Sequence, residues 1–167
     1  ATMTTEASDA KKIANAISEC KRMDVEVYGP DVNKSAKGFT VEEGGVRFGL
    51  LAIKGIGDGP IDEIIRVRQH SGPFTSLADF CTRVDPRSVG KGAIETLIKV
   101  GAMDSLTGQG KRHQLLDAVE RAMQFGKGER AAKERGMISL FGDVQEIESA
   151  FEFALNTKAQ EISRKQL

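Results

Sequence analysis

What this sequence lacks narrows its function first. No apolar run comes near the ~20 residues that a membrane-spanning helix needs, so no membrane partner is expected. The stretch from Ala1 to Asp9 has neither the basic start nor the apolar centre of a secretory signal, and position 1 is not Met. Residues 1–10 therefore read as an added or disordered arm, or as a cut made inside a longer protein. Cysteine is scarce: Cys20 and Cys81 stand far apart, with no further ligands at zinc-binding spacing. They are expected to be free buried thiols in a reducing, cytoplasmic setting. Net charge is missing too, since 24 Lys and Arg balance 24 Asp and Glu. Between Leu51 and Phe125 the count is ten basic to nine acidic residues. A neutral chain cannot hold DNA by bulk attraction, so any grip on nucleic acid has to come from local geometry.

What is present reads as mainly α. Ile13, Ile17 and Cys20 recur at helical spacing, giving a helix over 10–23. Residues 25–28 are extended and closed by Gly29-Pro30; 31–38 form a polar loop. Phe39-Thr40-Val41 and Val46-Arg47-Phe48 alternate around Glu42-Glu43-Gly44-Gly45, which predicts a β-hairpin. A short apolar piece at 50–54 follows. Asp58 is the expected N-cap, with Pro60 in the first turn, of a helix reaching about His70. Ser76 caps a third helix with Leu77, Phe80 and Cys81 inward, stopped by Asp85-Pro86. Residues 91–100 make a fourth, with Gly101 where a left-handed residue ends a helix. Residues 112–125 make a fifth, with Leu115, Leu116, Val119 and Met123 inward. From Gly126 to Gly136 the chain reads as a charged linker or a frayed helix, and 147–155 has weak helical periodicity.

The segment with a chemical message is Ile53-Lys54-Gly55-Ile56-Gly57. Glycine takes positive φ without steric cost, and without Cβ it lets a phosphate approach the backbone. The turn feeds the helix beginning near Asp58-Gly59, whose unpaired N–H groups and dipole favour an anion. Ile53 and Ile56 would pack between the helices, and Lys54 would reach a neighbouring phosphate. Gly57→Ala is expected to be strained if Gly57 carries positive φ. The same residues suit a plain helical corner. A dinucleotide fingerprint needs a third glycine where Pro60 stands, and a P-loop needs Gly-Lys-Ser/Thr. A degenerate second copy, Leu97-Ile98-Lys99-Val100-Gly101-Ala102-Met103, also joins two helices, and its lone glycine suits a structural corner equally well. The candidate DNA-binding residues are Lys54, Gly55, Ile56, Gly57, Asp58 and Gly59, with Lys99 and Gly101 in the second copy. Two such units joined by a helix can pack as a pseudo-twofold pair that meets both strands of a duplex across the minor groove.

Phe48-Gly49-Leu50-Leu51-Ala52-Ile53-Lys54-Gly55-Ile56-Gly57, Gly72-Pro73-Phe74-Thr75-Ser76-Leu77-Ala78-Asp79-Phe80-Cys81 and Leu97 to Leu106 closely resemble the α subunit of bacterial DNA polymerase III. Glu19 to Met23 and Pro30 to Ser35 resemble the end of that family's fingers region, and the likeness runs in family order from about Lys11 to Gly142. The resemblance implies a fragment of a replicative polymerase that uses metal ions and deoxynucleotides. Its parts would be the end of the fingers (11–48), a double helix-hairpin-helix domain (49–125) and a flexible charged tail (126–167). It places the catalytic carboxylates upstream, so this chain is expected to have no catalytic residue and no cofactor, magnesium belonging to the parent. The implied task is sequence-independent contact with duplex DNA. The alternative is a structural or protein-interaction segment that docks a sliding clamp or braces the fingers. Asp24-x-Glu26 has the spacing that puts two carboxylates on one strand face, as two-metal chemistry requires, and it reads more simply as solvated acids at a helix exit. His70 and His113 are lone, and no nucleophile has a base.

Met137-Ile138-Ser139-Leu140-Phe141 falls where the family carries its clamp-docking peptide. Leu140 and Phe141 match its apolar end, Ser139 lies between, and Met137 replaces a Gln whose hydrogen bonds Met cannot make. A peptide covering residues 135–143 is predicted to bind the cognate sliding clamp at micromolar strength or weaker, with Leu140 and Phe141 as anchors. Calorimetry checks this, and an identical response from the Leu140→Ala, Phe141→Ala peptide would refute it.

Overall fold

A computed structural model of the chain describes residue 12 and residues 14–107 and 111–135. The fold is mainly α, as expected. The first helix, α1 (14–22), ends in a Schellman turn: the Val25 N–H donates to the Cys20 carbonyl (2.8 Å) and the Asp24 N–H to the Lys21 carbonyl (3.3 Å). Asp24 sits at the left-handed position, φ 58°, which Asp tolerates better than most side chains. It is a turn residue outside β1, so it does not share a strand face with Glu26. Strand β1 (Glu26–Tyr28) follows, and β2 (Thr40–Glu42) and β3 (Gly45–Arg47) form the expected hairpin. The order is β1-β3-β2, with β1 parallel to β3 and Val27 opposite Val46. Arg47 is buried there: it pairs with Glu42, donates to the Gly29 carbonyl (3.1 Å) and lies 5.0 Å from the Tyr28 ring centre. Its guanidinium holds the Glu42 carboxyl below the usual carboxylate range.

A 3₁₀ turn (Leu50–Ala52) opens the helical part, followed by α2 (Asp58–Ser71), α3 (Leu77–Arg83), α4 (Lys91–Lys99), the short α5 (Asp104–Thr107) and α6 (Arg112–Glu134). Ser76 caps α3 as expected, its Oγ accepting from the Asp79 N–H at 3.0 Å. Ile61 and Ile64 of α2, Phe80 of α3, Ile94 and Leu97 of α4 and Leu115 of α6 meet in one core. Cys81 is buried in it, and desolvation pushes its thiol up to about 12. Cys20, expected to be buried, is only half-buried on α1.

The loop expected to be merely polar is a hub. Val32 and Ser35 are fully buried, and Val32 belongs to the helical core. The Asn33 side chain clamps the Phe74 backbone, donating to its carbonyl (2.8 Å) and accepting from its N–H (2.7 Å). The Val32 N–H donates to Ala102 (2.8 Å), and Arg68 of α2 donates to the Val32 and Ser35 carbonyls (2.9 and 3.0 Å). The boundary drawn after Phe48 is therefore crossed by shared packing.

The boundary drawn after Phe125 falls inside α6, which is helical over 23 residues. Gly126 is buried where α6 crosses α3, and a Cβ there would run into the Cys81 carbonyl. Four residues on, Arg130 donates to the Cys81 (3.0 Å), Thr82 (3.3 Å) and Val84 carbonyls, closing the open end of α3. Tertiary contact thus overrides the weak helix propensity of the glycines. Gly126→Ala is predicted to destabilise the chain by ~1–3 kcal/mol through overpacking. Gly128→Ala, with open space at its Cβ, should stabilise it by up to ~1 kcal/mol. Urea unfolding of the two variants checks both signs.

Candidate nucleic-acid interface

The first hairpin is built as a packed stem with an exposed tip. Ile53 and Ile56 are buried and hold the 3₁₀ turn against α2, while Lys54, Gly55, Gly57, Asp58 and Gly59 are exposed. Gly55 carries the positive φ, +91°. Gly57 does not: at φ −85°, ψ 177° it is extended and serves as the N-cap of α2. The strain expected of Gly57→Ala therefore moves to Gly55, and Asp58 is the first helical residue rather than the cap. A Cβ added at Gly55, Gly57 or Gly59 would meet nothing within 4 Å, so the backbone from 55 to 59 lies open to an approaching group. The first N–H groups of α2 have no partner within the helix. Lys54 makes no ion pair among the described residues.

One feature of the tip was missed in the sequence. Lys37 Nζ lies 2.6 Å from Asp58 and 2.9 Å from Asp62, and their hydrogen bonds raise its pKa above the ordinary lysine value. Nothing in the sequence links Lys37 to acids more than twenty positions away.

The second hairpin also turns on a positive-φ glycine but presents a different surface. The α4 end is a Schellman turn: Ala102 N–H donates to Leu97 (2.9 Å), Gly101 N–H to Ile98 (3.0 Å), and Gly101 has φ +83°. Asp104 follows three residues later, as Asp58 follows Gly55. Its carboxylate accepts from Arg112 Nε at 2.8 Å, and Arg112 is held protonated above its ordinary range by that contact. The Arg112 guanidinium also covers Gly101, occupying the space where a Cβ would point. Lys99 is exposed, while Gly101 is partly buried and closed off. Both hairpins turn on a positive-φ glycine, and only the first leaves it uncovered.

Other candidates are accounted for. A cleft of about 620 Å³ between α2, α3 and α6 is lined by Arg66, His70, Arg83, Arg130, Lys133 and Glu129 among others. Its two innermost guanidiniums are spent on helix ends, Arg83 on the Gly72 and Pro73 carbonyls (2.6 and 3.0 Å) and Arg130 on α3. His70 and His113 are exposed. Met137, Ser139, Leu140 and Phe141 lie outside the described residues.

Residues 24–115 match the family model described as the helix-hairpin-helix motif. The chain belongs to the helix-hairpin-helix family. This helix-hairpin-helix chain is also similar to proteins named DNA polymerase III subunit alpha, as its motifs led us to expect. It is 39% identical over 145 residues to that of Deinococcus radiodurans, covering 85% of this chain. Against Pseudomonas aeruginosa the figures are 35% over 180 residues and 99% of this chain, and against Escherichia coli 33% over 147 residues and 87%. The chain spans 11, 15 and 12% of those three relatives. No helix among the described residues is long and apolar enough to cross a membrane.

The two hairpin glycines should separate in stability. Gly55→Ser is predicted to cost ~1–2 kcal/mol because Ser must adopt positive φ. Gly57→Ser should be neutral or stabilising by a few tenths of a kcal/mol, since Ser is the better N-cap. Thermal unfolding of both variants reads the difference.

Proposed function

We propose that this chain is a duplex-DNA-binding segment of a replicative DNA polymerase, holding the phosphate backbone without regard to sequence. The observation that carries the reading is the open backbone from Gly55 to Gly59, turned by a positive-φ glycine into the start of a 14-residue helix. Such a start presents N–H groups and the positive end of a dipole to an anion, and Lys54 stands beside it. A phosphate is the anion that a polymerase segment meets at every nucleotide. Grip of this kind reads shape and charge rather than base edges. With no net charge to help, it adds to the holding done elsewhere in a longer chain. Extension of DNA from deoxynucleotides with magnesium, in the cytoplasm, belongs to that longer parent. The Gly101 turn does not compete for phosphate, because Arg112 covers it, and Lys99 beside it is left exposed. The sliding clamp is proposed as a second partner on the strength of residues 137–141 alone.

The test is duplex titration by fluorescence anisotropy across a salt series. The chain should bind at low salt and weaken steeply as salt rises. Lys54→Ala should lower the salt slope by about one. Gly59→Ala is the sharper probe: it should stabilise the helix yet weaken DNA binding, because its methyl group fills space meant for phosphate. If Gly57→Ala and Gly59→Ala both keep full affinity, the hairpin is only a corner.

A further inference from the structure

A phosphate arriving at α2 meets a conflict. The helix start attracts it, while Asp58 in the first turn and Asp62 one turn on repel it. Both carboxylates are held by Lys37, whose Nζ is 2.6 Å from Asp58 and within 2.9 and 3.2 Å of the Asp62 oxygens. Lys37 is not a roaming surface lysine. Its own carbonyl accepts from the Leu51 N–H (3.0 Å), and the Ala36 carbonyl accepts from the Leu50 N–H (3.0 Å). Its backbone is thereby strapped to the 3₁₀ turn of the same hairpin. The second hairpin has a related arrangement: a positive-φ glycine, an Asp three residues on, and a cation from a neighbouring element, Arg112 at the start of α6, on Asp104. There the cation also lies over the glycine. At the first hairpin Gly55, Gly57 and Gly59 are left uncovered.

We infer that Lys37 is a positioning residue of the DNA site, which offsets one of the two negative charges of Asp58 and Asp62 so that the open hairpin accepts a phosphate. The inference rests on the duplex-binding reading above. Lys37 acts through the two carboxylates rather than by touching DNA. Asp58, in the first turn, stabilises α2, and Lys37 lowers what the two acids cost to binding. Two uncompensated carboxylates about one helical turn from a phosphate weaken its binding roughly fivefold.

A double-mutant cycle on the whole 167-residue chain tests this, with a duplex of random sequence at low salt and thermal melts to match folding. Lys37→Ala should weaken binding roughly fivefold, and Lys37→Arg should restore it. Asp58→Asn with Asp62→Asn should bind somewhat more tightly than the unmodified chain. In that background Lys37→Ala should change affinity by less than about twofold, since no charge is left to cancel. An equal loss in both backgrounds would make Lys37 an ordinary phosphate ligand and overturn the inference. So would no loss in the unmodified background while the duplex is bound. If the unmodified chain binds no duplex at all, the duplex-binding reading fails first and takes this inference with it.

Discussion

The bidentate grip of Asn33 on the Phe74 backbone is the contact on which the arrangement of this chain turns. Asn33 is half-buried in a turn between β1 and β2, and its neighbours Val32 and Ser35 are fully buried. Buried polar groups have to find partners or cost several kcal/mol between them. Here the partners are spread over the molecule: Phe74 between α2 and α3, Arg68 on α2, Ala102 in the second hairpin, and Phe48 after β3, whose carbonyl accepts from Ser35 Oγ at 2.7 Å. The turn is satisfied only when all of these are in place. The small sheet, α2 and both hairpins are thereby set relative to one another by one polar element.

That fixed frame matters because the chain has no charge excess to spend. A basic protein can tolerate imprecise placement, since its field reaches a Debye length into solvent. A neutral one has to present its few favourable groups in the right geometry. The two hairpins show how little separates presentation from concealment. Both turn on a positive-φ glycine, and each sets an Asp against a cation three residues after the glycine. At the second hairpin the cation lies over the glycine and closes the tip, while at the first the glycine is left uncovered.

Much of this was legible in the residue pattern. Ser76 and Gly101 announced their helix ends because capping is local chemistry, decided by one side chain or one φ angle. The hairpin was legible for the same reason, though the choice between its glycines was not: Gly55 and Gly57 look alike in sequence, and only the path of the chain tells which one turns. What stayed hidden depends on distant partners. The 31–35 stretch looked like a solvated loop because its polar residues are matched by groups up to 74 positions away, as Ser105 on Asp31 shows. The parallel pairing of β1 with β3 had no local signature. The length of α6 was concealed by Gly126 and Gly128, which read as breakers. One of them is where α3 comes closest.

The lock between α6 and α3 has a mechanical side. A helix held at Gly126 by shape and at Arg130 by three carbonyls cannot slide or roll by one turn, since either move would put a Cβ into the Cys81 carbonyl or strip α3 of its terminal donor. At its other end Arg112 is tied to Asp104. Pinned at both ends, 23 residues of helix make a strut about 35 Å long. Whatever the chain carries beyond Arg135 therefore starts from a point whose distance and bearing from the open hairpin are set in advance. The strut turns a bend in the backbone at one end into an address at the other.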